Sequence, residues 1–155
     1  GNAATLGTLT PVGHIDPASW DQVLAVNLTA NWRLLRSFDP LLRAAPAGRA
    51  IFVTDCCAGG LGYWGAYAVS KAGLESLVRT YGHEIGHTAV RANLIDPGAT
   101  RTRIRAAAFP LEDPLSVKPA DDPHLLDAFV ALAETGCAQN GQVVRAGLVP
   151  RSSPT

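Results

Sequence analysis

Apolar positions recur along this chain first at helical spacing, then in a short unbroken run, then at helical spacing again. Trp20, Leu24, Asn27, Leu28, Asn31, Leu34 and Leu35 fall three or four apart, which predicts a helix whose buried face carries two asparagines. Its start is legible in "HIDPASW": Asp16 can cap the first free amides, and Pro17 takes the first helical position, where a missing N–H costs nothing. The helix should break or end between Asp39-Pro40 and "APAGR". Next, "RAIFVTD" (Arg49 to Asp55) is a β-rich run bounded by Gly48 and Gly59, and so predicts a buried strand. "CCAGGLG" is a turn-rich loop.

A second long helix is predicted from about Trp64 to about Gly86, with the stripe Tyr67, Lys71, Leu74, Leu77, Val78, Tyr81 and Ile85. "VRANLI" (Val90 to Ile95) is another buried strand, stopped by Asp96-Pro97-Gly98. A basic segment, "ATRTRIRAAAFPLEDPLSVKP", is expected to be irregular. Asp121 or Asp122 then caps a third helix, about Pro123 to Glu134, and "GQVVR" makes a last short strand. Alternating helices and strands imply parallel strands with crossover helices, the α/β layer class. The expectation is one domain over residues 1–150, with "RSSPT" (151–155) as a frayed tail.

Composition narrows the function classes. The chain has 155 residues, 47% of them hydrophobic and 17% charged, enough to bury about two thirds of the surface its unfolded form exposes. Thirteen basic residues balance thirteen acidic ones, so no long-range field draws it to nucleic acid or to an anionic membrane. No apolar run reaches spanning length and no signal peptide opens the chain. Cys56, Cys57 and Cys137 are an odd set without C-x-x-C spacing, which points to a reduced, cytoplasmic setting. There is no methionine, and the abrupt start on Gly-Asn-Ala-Ala suggests a piece of a longer protein.

Two constellations carry chemistry. His83-Glu84-Ile85-Gly86-His87 fits H-E-x-x-H, which on a helix lets two histidines grip zinc while Glu84 activates its water, the signature of a zinc hydrolase. A third ligand is not evident, since the extended H-E-x-x-H-x-x-G-x-x-H form fails and Glu112 is distant. His83, two residues past Tyr81, also points about 200° away from it around the axis, toward solvent. No metal site is therefore assigned. Tyr67 and Lys71, by contrast, are neighbours on the inward stripe. A phenol beside a fixed ammonium ionises more easily than its usual pKa of about 10 and makes a general acid or base. The alternative is a Tyr67 that fills the core and a Lys71 that snorkels to water. The strand ends beside them favour a site, because ligands of open α/β sheets sit outside the carboxyl ends of strands.

These residues also resemble a family. "YWGAYAVSKAGLESLVRTYGHEI" followed by "VRANLIDPGATRT" is similar to the catalytic half of a short-chain dehydrogenase/reductase, with Y-x-x-x-K, a strand and a Pro-Gly loop. "GNAA" resembles the N-A-G element closing the family's fourth strand, and "LAVNLTANW" the helix holding its catalytic asparagine. The resemblance runs from Gly1 to about Val144. It implies a partial Rossmann-type, doubly wound parallel sheet in three α/β/α layers, and hydride transfer between NAD or NADP and a small-molecule carbonyl or alcohol.

The resemblance also implies roles. Tyr67 would exchange a proton with the substrate oxygen, Lys71 would lower the Tyr67 pKa and hold the nicotinamide ribose, and Asn27 would anchor a water linking the lysine to solvent. Asn2 and Ala3 would lie near the adenosine ribose, and Pro97, Gly98, Thr100 and Thr102 would line the nicotinamide. A homodimer or homotetramer through the two long helices is implied as well. For each of these residues an ordinary structural role competes.

Two departures stand out. The family's substrate-binding serine is missing from "FVTDCC": Thr54 offers a hydroxyl, while Asp55 occupies the aligned place and, ionised, cannot donate a hydrogen bond to a carbonyl. The Gly-rich turn and its helix do not precede Gly1, so the chain as given carries proton-transfer groups without a pyrophosphate cradle. A second function therefore stays open, a catalytically silent fragment serving only as a dimerisation or interaction module. Arg101, Arg103 and Arg105 are expected on a solvated lid segment. Cys56 and Cys57 lack a paired histidine, and Tyr63 and Trp64 either shape a pocket or cover the helix start.

Overall fold

A computed structural model describes residues 1–146, and the expected tail, 151–155, lies outside them. The first helical stretch is capped as expected: Asp16 accepts from the Ser19 amide at 3.0 Å. It is not one regular helix, however. α1 (Pro17–Leu24) widens into a π-helical turn at Ala25–Thr29 and resumes as α2 (Ala30–Ala44). A π turn inserts a residue into the ladder and is found frequently at functional sites. Its inward residue is Asn27.

Pro40 lies inside α2, and the helix ends four residues later, before the "APAGR" region. Around the bond that proline removes, Arg43 Nε reaches both Asp39 oxygens at 2.9 Å. Tyr81, from the facing helix, donates its hydroxyl to Asp39 Oδ1 at 2.7 Å.

β1 (Arg49–Val53), α3 (Gly65–Glu84) and β2 (Arg91–Asp96) follow, then α4 (Arg103–Ala108), α5 (Pro123–Ala133) and β3 (Val143–Arg145). α4 corrects the expectation of an irregular basic segment. Its six residues start where the Thr102 hydroxyl accepts from the Arg105 amide at 3.1 Å, a cap hidden in a run read only for its charge. Of the two aspartates before α5, Asp122 is the cap, accepting from Leu125 N at 3.1 Å.

The three strands form one parallel sheet in the order β1-β2-β3, with Phe52 opposite Leu94 and Ile95 opposite Val144. Strand periodicity then sorts the side chains to two faces. Phe52, Ala92 and Leu94 pack with Leu35, Leu74, Val78, Tyr81 and Ile85 of α2 and α3. Ile51, Ile95 and Val144 pack with Leu125, Phe129 and Leu132 of α5. These are the three α/β/α layers of the expected fold class. Each fully buried Leu, Ile or Val contributes about 2 kcal/mol.

At the far end of α3 the helix presses on the loop before β3. A Cβ at Gly82 would lie 2.9 Å from the Gly141 Cα, so only glycine allows that approach. Asn140 fixes it by donating to the Gly82 carbonyl at 2.7 Å. Among the described residues no helix is long and apolar enough to cross a membrane.

Candidate active site

The first two turns of α3 bring Tyr67, Ser70 and Lys71 together beneath the carboxyl ends of β1 and β2. Tyr67 and Lys71 are buried, and the Lys71 ammonium lies 5.5 Å from the centre of the Tyr67 ring. Lys71 Nζ donates to the Val53 carbonyl at 2.8 Å, which uses one of its three N–H groups. Burial pulls the lysine's pKa down, opposed by the Asp55 carboxylate.

The lowering of the Tyr67 pKa that the Tyr-Lys spacing suggests is opposed by the surroundings of the phenol. Burial of its ring pushes the phenol above its ordinary pKa, and the negative charge of Asp55 pushes it further. Lys71 faces the flat of the ring while its charge is turned to a backbone carbonyl. The Tyr67 hydroxyl has no hydrogen-bond partner among the described residues.

Asn27 is fully buried and wholly engaged. Its Oδ1 accepts from the Thr5 amide at 2.8 Å, and its Nδ2 donates to the Thr5 carbonyl at 2.9 Å and to Ser70 Oγ at 3.0 Å. Ser70 in turn donates to the Tyr67 carbonyl at 2.7 Å. Asn31, the second polar residue of the stripe, donates to the Asn27 carbonyl at 2.7 Å. The π turn, the amino-terminal segment and the start of α3 are thereby tied at one point. Asn27 and Lys71 share no direct hydrogen bond.

Thr54 and Asp55 are both committed. The buried Thr54 hydroxyl donates to Glu75 Oε1 at 2.8 Å, and Asp55 Oδ1 accepts from the Cys57 amide at 2.9 Å, capping a short 3-10 turn. After β2, Asp96 Oδ1 accepts from the Gly98 amide at 2.9 Å, and Gly98 sits at φ 65°, a left-handed conformation that glycine adopts without strain. The Thr100 hydroxyl closes the loop on the Pro97 and Gly98 carbonyls at 3.3 and 3.2 Å. Thr102 serves as the α4 cap, and Asn2 and Ala3 are exposed on the strand-like segment that Gly1 begins beside β1.

Several participants escaped the sequence reading. Ser70 and Glu75 lie three and eight residues after Tyr67, on turns facing the same way, and that spacing was their only signal. Tyr67 clusters with Cys57 and Ala68, and Leu6, Trp64 and Ile104 pack against that cluster. The vicinal cysteines are free, Cys57 buried and Cys56 exposed. Burial first, and Asp55 next, push both thiols above their ordinary pKa, away from nucleophilic thiolate. His83, Glu84 and His87 are all exposed, and α3 ends at Glu84, which leaves His87 in the following turn. Among the described residues no group of three or more His, Cys, Asp or Glu is placed to hold a metal ion.

A parallel sheet covered by helices, with a Tyr-x-x-x-Lys helix at its carboxyl edge and a glycine-turned loop beside it, defines a Rossmann-type α/β fold. Residues 1–127 match the family model described as enoyl-(acyl carrier protein) reductase. The chain belongs to the short-chain dehydrogenase/reductase family. It is 39% identical over 122 residues to the Escherichia coli oxidoreductase YciK, an alignment covering 77% of this chain and 48% of YciK. A crystal structure of a short-chain dehydrogenase from Salmonella enterica serovar Typhi superposes with TM-score 0.89 at 33% identity, over 94% of this chain and 60% of that one. A second, from Escherichia coli in complex with NADPH, gives TM-score 0.88 at 34% identity, with 94% and 60% covered. The chain thus spans about half the length of YciK and about three fifths of those structures.

Proposed function

We propose that this chain carries the proton-transfer half of an NAD(P)-dependent oxidoreductase that interconverts a small-molecule carbonyl and its alcohol. The single observation that carries this reading is the buried Tyr67 ring with the buried Lys71 ammonium 5.5 Å from its centre. The residues fit the cofactor. Lys71 has two N–H groups left for ribose hydroxyls, and the place where a Cβ at Gly98 would stand has only Lys118 Nζ nearby, at 4.0 Å. Lys71, Asn2, Ala3, Pro97, Gly98, Thr100 and Thr102 would hold NAD or NADP, and a dehydrogenase of similar fold is complexed with NADPH.

When bound, the reduced cofactor supplies a hydride to the carbonyl carbon. Tyr67 gives its phenolic proton to the oxygen as that oxygen gains charge, and takes a proton back from solvent afterwards. The phenol is protonated at neutral pH, as a proton donor must be, and burial with the Asp55 charge makes it a weaker acid than a free tyrosine. Lys71 steadies the phenolate that forms in the step. Asn27 acts by holding the π turn and, through Ser70, the backbone of Tyr67.

Self-association through α2 and α3 belongs to the same proposal, supported by large apolar side chains left exposed on α2. No specific observation favours a silent module over the enzyme. Nicotinamide fluorescence during titration with NADH and NADPH tests the cofactor, and Tyr67→Phe tests the chemistry. Saturable binding with turnover lost in Tyr67→Phe is the expected result, and turnover that survives that substitution overturns the assignment.

A further inference from the structure

An aromatic and ionic ladder runs from α4 to the proton donor. Arg105 Nε donates to Glu112 Oε2 at 2.7 Å, and its other arm meets Oε1, a two-pronged pair. The same guanidinium lies flat on Phe109, 3.9 Å from the ring centre. Phe109 meets Trp64 at 5.8 Å between centroids, and Trp64 presents an edge to Tyr67, also at 5.8 Å. Behind this row stand Leu6, Cys57 and Ile104. Arg101 and Arg103, the other arginines of the segment, are exposed.

We infer that Trp64 and Phe109 form the substrate-selecting wall of the Tyr67 site, fitting a carbonyl compound with a flat apolar body, and that Arg105, clamped by Glu112, positions that wall. The inference rests on Tyr67 being the reacting group. Apart from Lys71 over one face, the side chains clustered with Tyr67 are apolar or aromatic, so a ligand bringing its carbonyl to the hydroxyl lays its neighbouring atoms against that surface. A small polyhydroxylated ketone would be desolvated there without partners. An aromatic or fused-ring ketone would gain stacking on Trp64 and Phe109. Phe109 is itself 37% exposed, so the far end of the wall is open to an incoming ring. Arg105 touches no substrate. It acts by fixing Phe109, and the two-pronged pair gives it one orientation.

The test uses the whole chain with Trp20→Phe and Trp32→Phe, which leaves Trp64 as the only indole, titrated with 2-tetralone and with dihydroxyacetone in the presence of NADP+. Saturable quenching by tetralone but not by dihydroxyacetone is expected, with tetralone binding about tenfold weaker in Phe109→Ala. Arg105→Ala should raise acrylamide quenching of Trp64 and red-shift its emission at an unchanged melting temperature. Arg105→Lys, which keeps the charge and loses the fork, should fall between. Equal binding of the two ketones, or a Trp64 signal indifferent to Arg105, overturns the inference. The two readings fail separately. Tetralone binding at Trp64 without NADPH-dependent reduction leaves the wall and removes the catalytic reading. Reduction of tetralone with a silent Trp64 does the reverse.

Discussion

The Thr54 hydroxyl donates to Glu75 Oε1 at 2.8 Å, so the residue closing the β1 run is tied sideways to α3 instead of facing an approaching ligand. Glu75 also receives Arg79 at 2.8 Å, and its side chain is only 16% exposed. The one hydroxyl in "TDCC" is therefore spent on holding helix to strand. The carboxylate whose charge bears on the Tyr67 phenol is Asp55.

Thr54→Val should act on stability rather than on chemistry. Losing the donor leaves a largely buried carboxylate one partner short, a cost of about 1–2 kcal/mol. Urea unfolding should show that loss, while turnover per folded molecule persists. Unchanged stability with lost turnover would reassign the hydroxyl to the substrate.

Asp55 is expected to bear on the pH range of the proposed reaction, after burial. A proton donor works while protonated, so reduction by Tyr67 persists at low and neutral pH and is lost as pH rises through the tyrosine's folded-state pKa. Burial first and the Asp55 charge second raise that value, so the alkaline limb should lie above the ordinary tyrosine value of about 10. Asp55→Asn removes the second cause and should move the limb to lower pH, read from kcat against pH. Asp55→Ser keeps a cap acceptor for Cys57 N and adds a donor for the carbonyl oxygen, and should raise kcat on the order of tenfold. A limb that stays put in Asp55→Asn would mean the carboxylate does not reach the phenol.

The layers of the fold were legible because their signals are periodic. Stripes at 3.6 and runs bounded by glycine predict α3, β1 and β2 to within a few residues of where they lie. The π turn at Ala25–Thr29 was not legible, since an inserted residue shifts the phase of a stripe without breaking it. α4 was missed because six residues are too few for periodicity to be seen, and only the Thr102 cap announces it. Tyr67 and Lys71 were legible as neighbours, but their electrostatics were not. The i, i+4 rule gives proximity, whereas the pKa depends on burial and on Asp55, which arrives from another loop. The Trp64–Phe109 contact spans 45 positions and depends on how the segment after β2 folds back.

The outer face of α2 supplies a test of self-association. Leu34, Phe38 and Leu41 are 43%, 50% and 65% exposed and fall on one stripe at spacings of four and three. A dimer pairing through this helix would bury all three, so Phe38→Glu with Leu41→Glu should shift sedimentation from dimer to monomer and leave the circular dichroism of the fold intact. Sedimentation that does not respond to the two charges removes α2 from the interface.

Asn27 presents a choice between relay and fastener that substitution can resolve. Its carboxamide satisfies both backbone groups of Thr5 and binds Ser70, so Asn27→Ala strands several buried partners at once and should cost about 2–4 kcal/mol. Ser70→Ala, which breaks the tie between Asn27 and the Tyr67 carbonyl, should cost about 1 kcal/mol and loosen the start of α3. Asn31→Ala frees the Asn27 carbonyl while sparing the carboxamide network, since the side-chain hydrogen bond of Asn31 among the described residues goes to that oxygen. If the carbonyl serves a proton path, Asn31→Ala alters the pH dependence of kcat with a modest loss of stability. If Asn27 is only a fastener, the pH profile stays the same and the melting temperature alone reports the change.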